Sequence, residues 1–348
     1  MTRDDLLDAL NKRVPYRIAR RLLVASGFPT GHGWDAIHTK LKEPDYAAKA
    51  NDRSLHALYV GALASAEKRA SIYDIGQANV ATLDAKMTLK LAADKSTKMA
   101  LSYPLPLSAS ALTSLASTDP VIAGKSAFGN GSIFIICYIK ESRFRVTLSP
   151  TQLNQNAGSG YAEVYGIRIE RTQIFDAIIV PKSGDKITML TDILENSSQD
   201  SVRDSVSRLD TFIKKVSGIS IKGKRVNLFP AIAKFYNDPA TDIIRLEHTA
   251  TDGQAISERT KGAQKCLRVA DYHKGGMGAV SGGTDAFGVE VAWTVPSVGG
   301  IDARIELSLI GSSSLAYDLN PVLDFADIGK VGTVDELMIA LNSLHAKL

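Results

Sequence analysis

Cysteine is scarce in this sequence, since the 348 residues contain only Cys137 and Cys266. Both lie in apolar stretches with the character of strands, so we expect reduced core thiols and not a disulfide framework. Apolar runs are short as well, and none approaches the roughly 20 residues of a membrane-spanning helix. The first residues, MTRDDLLDAL, contain acids where a secretory signal would be continuously apolar. These absences predict a cytoplasmic protein that does not enter the membrane.

Sequence signatures of catalysis are missing too. No CxxC or HExxH pairing appears, and the glycines of HKGGMGAVSGG (273–283) do not have P-loop spacing. This stretch is interpreted as a flexible surface loop, with a loop whose bare backbone approaches a ligand or nucleic acid as the alternative. A restriction-type nuclease would have Glu-x-Lys on a strand, but Ala292 stands two residues after Glu290. Asp271 and His273 would share a face at a strand end, yet a metal would need a third ligand. We expect no metal, no cofactor and no catalytic residue.

Aromatic residues make up only 7% of the chain and barely interleave with the basic clusters. Proteins that bind single strands stack bases on aromatic side chains, so this composition favours contacts to the backbone of a duplex. The total charge is nearly balanced, with 41 lysines and arginines against 37 acids. Any affinity for nucleic acid must therefore come from local patches and not from bulk charge.

The N-terminal part of the chain follows a helical period. Thr2 caps a first helix, and Pro15 suits the first turn of a second. Further helices are predicted from Trp34 to Leu41 and from Ser54 to Ile72. Together these segments predict a small helical bundle over residues 1–76.

Near residue 80 the spacing of apolar residues changes from the 3.6 residues of a helix to the two residues of a strand. From Ala81 to Leu91 apolar and polar residues alternate, which predicts a half-buried strand, although alanine, lysine and leucine are mediocre strand formers. Residues 102–131 are rich in proline, serine, alanine and glycine and are interpreted as a connector with a short helix at 108–116.

The remainder shows strands followed by a helix, twice over. The first set has strands at 132–140 and 144–148, joined by a hairpin at Glu141-Ser142, then strands at 161–171, 173–180 and 186–191, and a helix that Gly218 ends. The second set has a helix at 230–236, strands at 242–249, 264–272, 286–295 and 302–311, and a helix capped by Thr333.

The predicted fold class is therefore α+β: a small N-terminal helical bundle followed by a two-part α+β body of mostly antiparallel sheets, each closed by a helix. The predicted units are residues 1–76, residues 78–130 with one strand and a connector, residues 131–226 and residues 227–348. We expect residues 78–348 to be stable without the helical head, because the period switches near residue 80.

Positive charge gathers in three separate regions of the sequence. The first lies in the N-terminal helices and comprises Lys12, Arg13, Arg17, Arg20 and Arg21, of which the last three are spaced to share one helical face. The second lies at the end of a predicted helix and just beyond it and comprises Lys214, Lys215, Lys222, Lys224 and Arg225. The third comprises Arg259, Lys261, Lys265, Arg268 and Lys274.

The second region has two interpretations. Basic residues in a last helical turn offset the helix dipole, so Lys214 and Lys215 need no further role. Lys222, Lys224 and Arg225 lie beyond the cap, where a mobile basic loop would contact phosphate.

Three functions remain open. The first hypothesis is that these patches bind nucleic acid without catalysis and without dependence on the base sequence, with duplex DNA as the favoured ligand. One form of this hypothesis has the protein acting as an oligomer. The head would then be a helix-turn-helix module, and the simplest alternative is a plain helical domain whose arginines form a solvated face. The second is an adaptor or assembly subunit, for example in host defence, whose residues 1–76 bind a partner protein in the manner of a death-fold-like module. The third is a divergent nuclease or phosphoesterase.

Overall fold

The structure, a computed structural model, describes residues 2–29, 31–47, 51–149, 161, 163–193, 199–250, 253–260, 266–279, 285–296 and 302–348. Its helices are α1 (Arg3–Arg13), α2 (Tyr16–Ala25), α3 (Trp34–Leu41), α4 (Pro44–Ala47), α5 (Asp52–Ser65), α6 (Gln77–Asp94), α7 (Lys98–Ser102), α8 (Ala109–Ser114), α9 (Gln199–Ser217), α10 (Pro230–Tyr236), α11 (Asp271–Ala279) and α12 (Val334–His345). Its strands are β1 (Lys68–Asp74), β2 (Val121–Phe128), β3 (Gly131–Thr147), β4 (Tyr165–Pro181), β5 (Lys186–Asp192), β6 (Asp242–Thr249), β7 (Ala255–Arg259), β8 (Asp285–Val295), β9 (Ala303–Ile310) and β10 (Ala326–Gly329).

The described strands lie in one antiparallel sheet in the order β2-β3-β4-β5-β1-β10-β9-β8-β6-β7. The α+β class and the antiparallel pairing predicted from the sequence are confirmed. The two sets of strands are not separate sheets, however, because β1 pairs with β5 along one edge and with β10 along the other. A strand from the predicted helical head thus joins the two halves of the body.

Helices cover the two faces of the sheet unequally. Alternate side chains of β3 point to opposite sides, so Ile133 and Ile135 belong to one core and Phe134 and Ile136 to the other. The first core, on what we call the head face, extends along the sheet from β2 to β6 and includes apolar side chains of α1, α2, α5, α10 and α12. The second core, on what we call the α9 face, includes side chains of α6 and α9 and covers only the half of the sheet from β2 to β1.

The prediction of a strand from Ala81 to Leu91 is wrong, because these residues lie in α6. Alanine, leucine, lysine and methionine are strong helix formers, and the alternating pattern also contains a helical one. Val80, Leu83 and Met87 follow that helical spacing and are buried in the second core. The end of α6 is fixed by Asp94, which accepts the backbone N–H of Ile122 at 2.8 Å.

The predicted helix from Ser54 to Ile72 is correct only in its first part. Helix α5 ends at Ser65, and Glu67 takes a backbone φ of 44°, which turns the chain into β1. Lys68 begins this strand fully buried, a position that helical periodicity does not foresee.

Other differences concern segments interpreted as loops or turns. Residues 121–128 of the predicted connector form strand β2, and Glu141-Ser142 lies inside the uninterrupted strand β3, so the predicted hairpin there is wrong. The strand predicted at 264–272 is also wrong in its described part, where a 3-10 turn (Leu267–Val269) leads into α11. Residues 273–279 of the glycine-rich stretch belong to that helix and are not a loop, while 280–283 lie outside the described residues.

Several predicted elements agree with the structure. Helix α10 begins and ends at the predicted residues, and Thr333 caps α12 by accepting the backbone N–H of Glu336 at 3.2 Å. Gly218 ends α9 with a φ of 77°, and Cys137 is a buried free thiol. In the described part of the chain, no helix has the length and apolar character needed to span a membrane.

Candidate nucleic-acid interface

The second basic region begins on α9. This helix packs Leu209, Phe212 and Ile213 into the core of the α9 face, while Lys214 and Lys215 lie exposed in its last turn. The two lysines therefore occupy the position at which positive charge offsets the helix dipole. This agrees with the interpretation that they need no further role.

The segment after α9 is held in place, so the expectation of a mobile loop is wrong. The backbone N–H of Asp74 donates to the carbonyl of Lys224, and the N–H of Val226 donates to the carbonyl of Ile72, both at 2.9 Å. These bonds pair the segment with the end of β1 beyond the point where β10 stops. Gly223 has a φ of 73°, a conformation that favours glycine and lets the chain turn toward the sheet.

A cleft of about 580 Å³ lies between α9, this segment and the sheet. We call it the α9 cleft. Its lining includes Arg69, Ser71 and Tyr73 of β1, Arg203, Ser207 and Asp210 of α9, Lys222, Gly223 and Arg225 of the following segment, and Asp324 and Phe325 before β10.

The α9 cleft carries an excess of positive charge. Four of its lining side chains are basic and two are carboxylates, and a third carboxylate, Asp327, contacts Arg69 without lining the cleft. Four other cavities, of about 300 to 820 Å³, have at most one more basic than acidic side chain among the residues that line them. One of them is lined by Asp285 and Asp318 and by no basic residue. Among these cavities, the α9 cleft is therefore the best suited to an anion.

Arg69 and Arg225 of the α9 cleft are held by neighbouring groups. Arg225 contacts Asp324 at 2.8 Å and donates to the hydroxyl of Tyr73 at 3.1 and 3.2 Å. Burial raises the pKa of Tyr73, and the oxygen of its neutral phenol accepts these bonds. Arg69 forms two hydrogen bonds to Asp327, at 2.5 and 2.7 Å, and lies 4.0 Å from the ring centre of Phe325. Lys222, by contrast, is exposed at the mouth of the cleft.

Two lining residues, Arg69 and Arg203, were missed in the sequence. Arg203 lies on the same helix as Lys214, but eleven residues earlier, and so fell outside the basic cluster. Arg69 comes into the cleft only because β1 is a strand whose alternate side chains, with Ser71 and Tyr73, face α9. The alternating side chains of the segment KRASIYD indicate a strand, but the helix predicted from Ser54 to Ile72 covers most of this segment.

The N-terminal basic residues lie on the head face, on the other side of the sheet from the α9 cleft. Arg21 does not share a solvated face with Arg17 and Arg20, because its side chain is buried and forms two hydrogen bonds to Glu336, one of them at 2.8 Å. Lys12, Arg17 and Arg20 are exposed.

Arg13 belongs to a buried network of charges. Its guanidinium contacts Asp192 at 2.5 Å, and the same carboxylate accepts from Lys68. Burial alone would raise the pKa of Asp192, but Arg13 and Lys68 hold it below the usual value. Burial raises the pKa of the neighbouring Asp176 to about 7. Arg13 and Lys68 thus neutralise a carboxylate inside the protein, which accounts for their positions without any ligand.

The third basic region is dispersed. Arg268 donates to the carbonyls of Tyr236, Asp238 and Thr241, which ties the 3-10 turn to the end of α10. Arg259 lies at the sheet edge, 3.7 Å from Glu290, and Lys274 is exposed on α11. Lys261 and Lys265 lie outside the described residues.

His273, considered as a metal ligand, lies in a hydrogen-bonded chain that also includes His248. His273 is on α11, where Asp271 and His273 are two residues apart on a helix and do not share a face. Glu258 contacts His248 at 2.9 Å and His273 at 3.1 Å, and His273 contacts the hydroxyl of Tyr236 at 2.9 Å. No group of three His, Cys, Asp or Glu side chains suited to a metal ion occurs in the described part of the chain.

Comparison with known proteins adds no assignment: no protein-family model and no curated protein matches this chain.

Proposed function

We propose that this protein binds nucleic acid without catalysis, with the α9 cleft as its main contact to the phosphate backbone and duplex DNA as the preferred ligand. The observation that carries the proposal is the grouping of Arg69, Arg203, Lys222 and Arg225 around one cleft. Side chains that are distant in the sequence, on β1, α9 and the segment after it, converge there. Arginine and lysine are the residues that contact phosphate most often in such complexes.

The cleft offers neutral donors as well. The hydroxyls of Ser71 and Ser207 lie in its wall, and hydroxyl groups donate to phosphate oxygens in protein–DNA complexes. Gly223 presents no side chain at the mouth, so a phosphate has access to the backbone there. Basic side chains around such donors bind phosphates in a manner that does not depend on the base sequence.

The aromatic residues of the cleft favour a duplex over a single strand. Binding of single strands relies on stacking of bases on open aromatic faces. The guanidinium of Arg225 lies 5.5 Å from the ring centre of Tyr73, and that of Arg69 lies 4.0 Å from the centre of Phe325. These rings already have cations over them, which leaves the phosphate backbone as the part of the ligand that the cleft can hold.

The proposal is tested by gel shifts with duplex DNA, single-stranded DNA and RNA at several salt concentrations. Lys222→Ala with Lys224→Ala removes two exposed charges beside the cleft. Lys42→Ala with Lys234→Ala is the matched control, because both lysines are exposed on α3–α4 and α10, which pack on the head face. The proposal is supported if the control binds duplex DNA as the wild type does and Lys222→Ala with Lys224→Ala binds it more weakly. Equal affinities of the two variants argue against it.

An adaptor function is the second proposal, and the head face supports it. Lys12, Arg17 and Arg20 are exposed on α1 and α2, across the sheet from the α9 cleft. A straight duplex held in the cleft does not contact both faces of the sheet, so these residues are left for a different partner, such as an acidic protein surface. The cytoplasmic location and the oligomeric form expected from the sequence stay predictions.

A further inference from the structure

A second basic feature of the protein is a two-stranded arm at the end of the sheet. We call it the β3–β4 ribbon and define it as Lys140–Thr147 paired with Tyr165–Thr172. Strand β2 pairs with β3 only as far as Cys137, and β5 pairs with β4 only over Ala177–Ile179. In the part of the chain that the structure describes, the eight residue pairs of the ribbon therefore have no further strand beside them. At about 3.4 Å per residue, the ribbon is roughly 27 Å long.

The ribbon is basic. It contains Lys140, Arg143, Arg145, Arg168 and Arg171 against the two acids Glu141 and Glu170. Both acids already contact arginines of the ribbon, Glu141 with Arg171 at 2.7 Å and Glu170 with Arg168 at 2.5 Å. The excess of positive charge is therefore not offset within the ribbon.

Its head-side face combines arginine with exposed aliphatic side chains. Arg143 pairs with Ile169 and Arg145 pairs with Ile167, so these four side chains lie on one face. Ile167 is 65% exposed and Ile169 is 54% exposed. The two isoleucines form an exposed apolar patch with arginines beside them, a combination that suits an anion with apolar parts.

A duplex groove meets these requirements in size and chemistry. The major groove of B-DNA is about 12 Å wide and admits a two-stranded β-ribbon, with phosphates along its rims and base edges, including thymine methyl groups, at its floor. The guanidinium of Arg145 lies 3.5 Å from the ring centre of Tyr165, which leaves this aromatic face unsuited to stacking with an unpaired base.

The ribbon is joined to the α9 cleft through α9 itself. Lys140 and Arg143 at its base line a cavity of about 300 Å³ together with Asp204 and Arg208 of α9. Arg203 of the same helix lines the cleft on the other side. Basic side chains thus continue from the cleft, past α9, to the ribbon.

We propose that the β3–β4 ribbon enters the major groove of duplex DNA with the face that carries Arg143, Arg145, Ile167 and Ile169. This inference rests on the proposed function, since it names how that ligand is held. It predicts groove contacts at the ribbon and phosphate contacts at the cleft, made by different residues with separate stretches of duplex, because the two lie on opposite faces of the sheet.

The test uses the full chain and a duplex carrying 5-iodouracil, whose iodine lies in the major groove. Arg143→Gln with Arg145→Gln is compared with Arg17→Gln and Arg20→Gln, which removes the same charge from exposed arginines of α2. The ribbon variant is expected to bind duplex DNA about tenfold more weakly, with a salt slope smaller by about two. Irradiation of the wild type is expected to cross-link the duplex to a peptide of the ribbon. Unchanged melting in circular dichroism establishes that the variants are folded.

The outcomes separate this inference from the proposed function. If Lys222→Ala with Lys224→Ala weakens binding while the ribbon variant binds as the wild type and the cross-link lies elsewhere, the ribbon inference is overturned and the function stands. If the wild type binds no duplex DNA at low salt, both the proposed function and the ribbon inference are overturned. Ile167→Ser with Ile169→Ser tests a second copy as the occupant. A dimer in sedimentation that these changes convert to a monomer with full DNA affinity also overturns the inference.

Discussion

Arg225 donates two hydrogen bonds, at 3.1 and 3.2 Å, to the hydroxyl of Tyr73, a residue 152 positions earlier in the chain. This relationship separates the residues of the second basic region into two groups. Arg225 holds the segment after α9 against β1, whereas Lys222 and Lys224 extend from that segment into solvent. A structural role and a binding role can therefore be tested by different substitutions.

We expect Arg225→Ala to lower the melting temperature, because it removes the bonds to Tyr73 and the contact with Asp324. The loss is expected to be about 1–2 kcal/mol of unfolding free energy. Lys222→Ala with Lys224→Ala should change the free energy of unfolding by less than about 0.5 kcal/mol, as is usual for exposed side chains. Denaturant unfolding of both variants measures the difference, and equal stabilities would show that Arg225 does not fix the segment.

Removing one member of the Arg21–Glu336 pair should destabilise the protein strongly. Both side chains are buried, and Glu336 also accepts the backbone N–H of Gly332 at 2.8 Å. Arg21→Met leaves this carboxylate without its cation, at a cost of about 3–5 kcal/mol. The double change Arg21→Met with Glu336→Gln, which removes both charges, should recover part of the loss. Chemical denaturation checks both values, and a change below about 1 kcal/mol for Arg21→Met would contradict the buried pair.

Asp176 should make stability depend on pH. Burial raises the pKa of Asp176 to about 7 from its ordinary value of 3.8. Between these two values the folded protein holds a proton that the unfolded chain has lost, so this group's contribution falls as the pH rises through the window. Asp176→Asn removes the effect, and its stability relative to the wild type should therefore increase from about pH 4 to pH 7.

The wild type must be compared with Asp176→Asn, because His345 changes the pH dependence of stability in the opposite direction. Burial lowers the pKa of His345, so its contribution to stability rises with pH near its ordinary value of 6.5. Unfolding of wild type and Asp176→Asn in urea at pH 5, 6, 7 and 8 isolates Asp176. A stability difference that stays constant over this range would refute the assignment.

The fragment 78–348 should not fold cooperatively, in contrast to the expectation from the sequence alone. It lacks β1, which pairs along its length with β5 and at its start with β10. It also lacks α1, α2 and α5, whose apolar side chains cover the core of the head face. We expect aggregation, or a melt without a sharp transition. A soluble fragment with a single sharp melting transition would show that the head is a separate domain.

The sequence predicted the elements whose signals are local. Helices α10 and α12 have a proline in the first turn and a threonine cap, respectively, and α9 has a regular apolar face that ends at Gly218. Such signals need no knowledge of the rest of the chain, because capping and amphipathicity act within one or two turns.

The elements that depend on distant partners were missed. The segment Ala81–Leu91 satisfies both periods, and packing of Leu83 and Met87 against the sheet favours the helix. Strand β1 begins with Lys68, whose burial is possible only beside Asp192. The cleft could be foreseen only in part: Lys222 and Arg225 stand out in the sequence, but Arg69 joins them through the register of β1.

The measurement that tests the central proposal most directly is a salt titration of duplex DNA binding by the wild type and by Lys222→Ala with Lys224→Ala. Lysines that contact phosphates release counterions, so the wild-type affinity should fall steeply with salt. The variant should bind more weakly at low salt, and the slope of log affinity against log salt should be smaller in magnitude by about two. Absence of duplex binding at low salt, or identical affinities and slopes for both proteins, would contradict nucleic-acid binding at the α9 cleft.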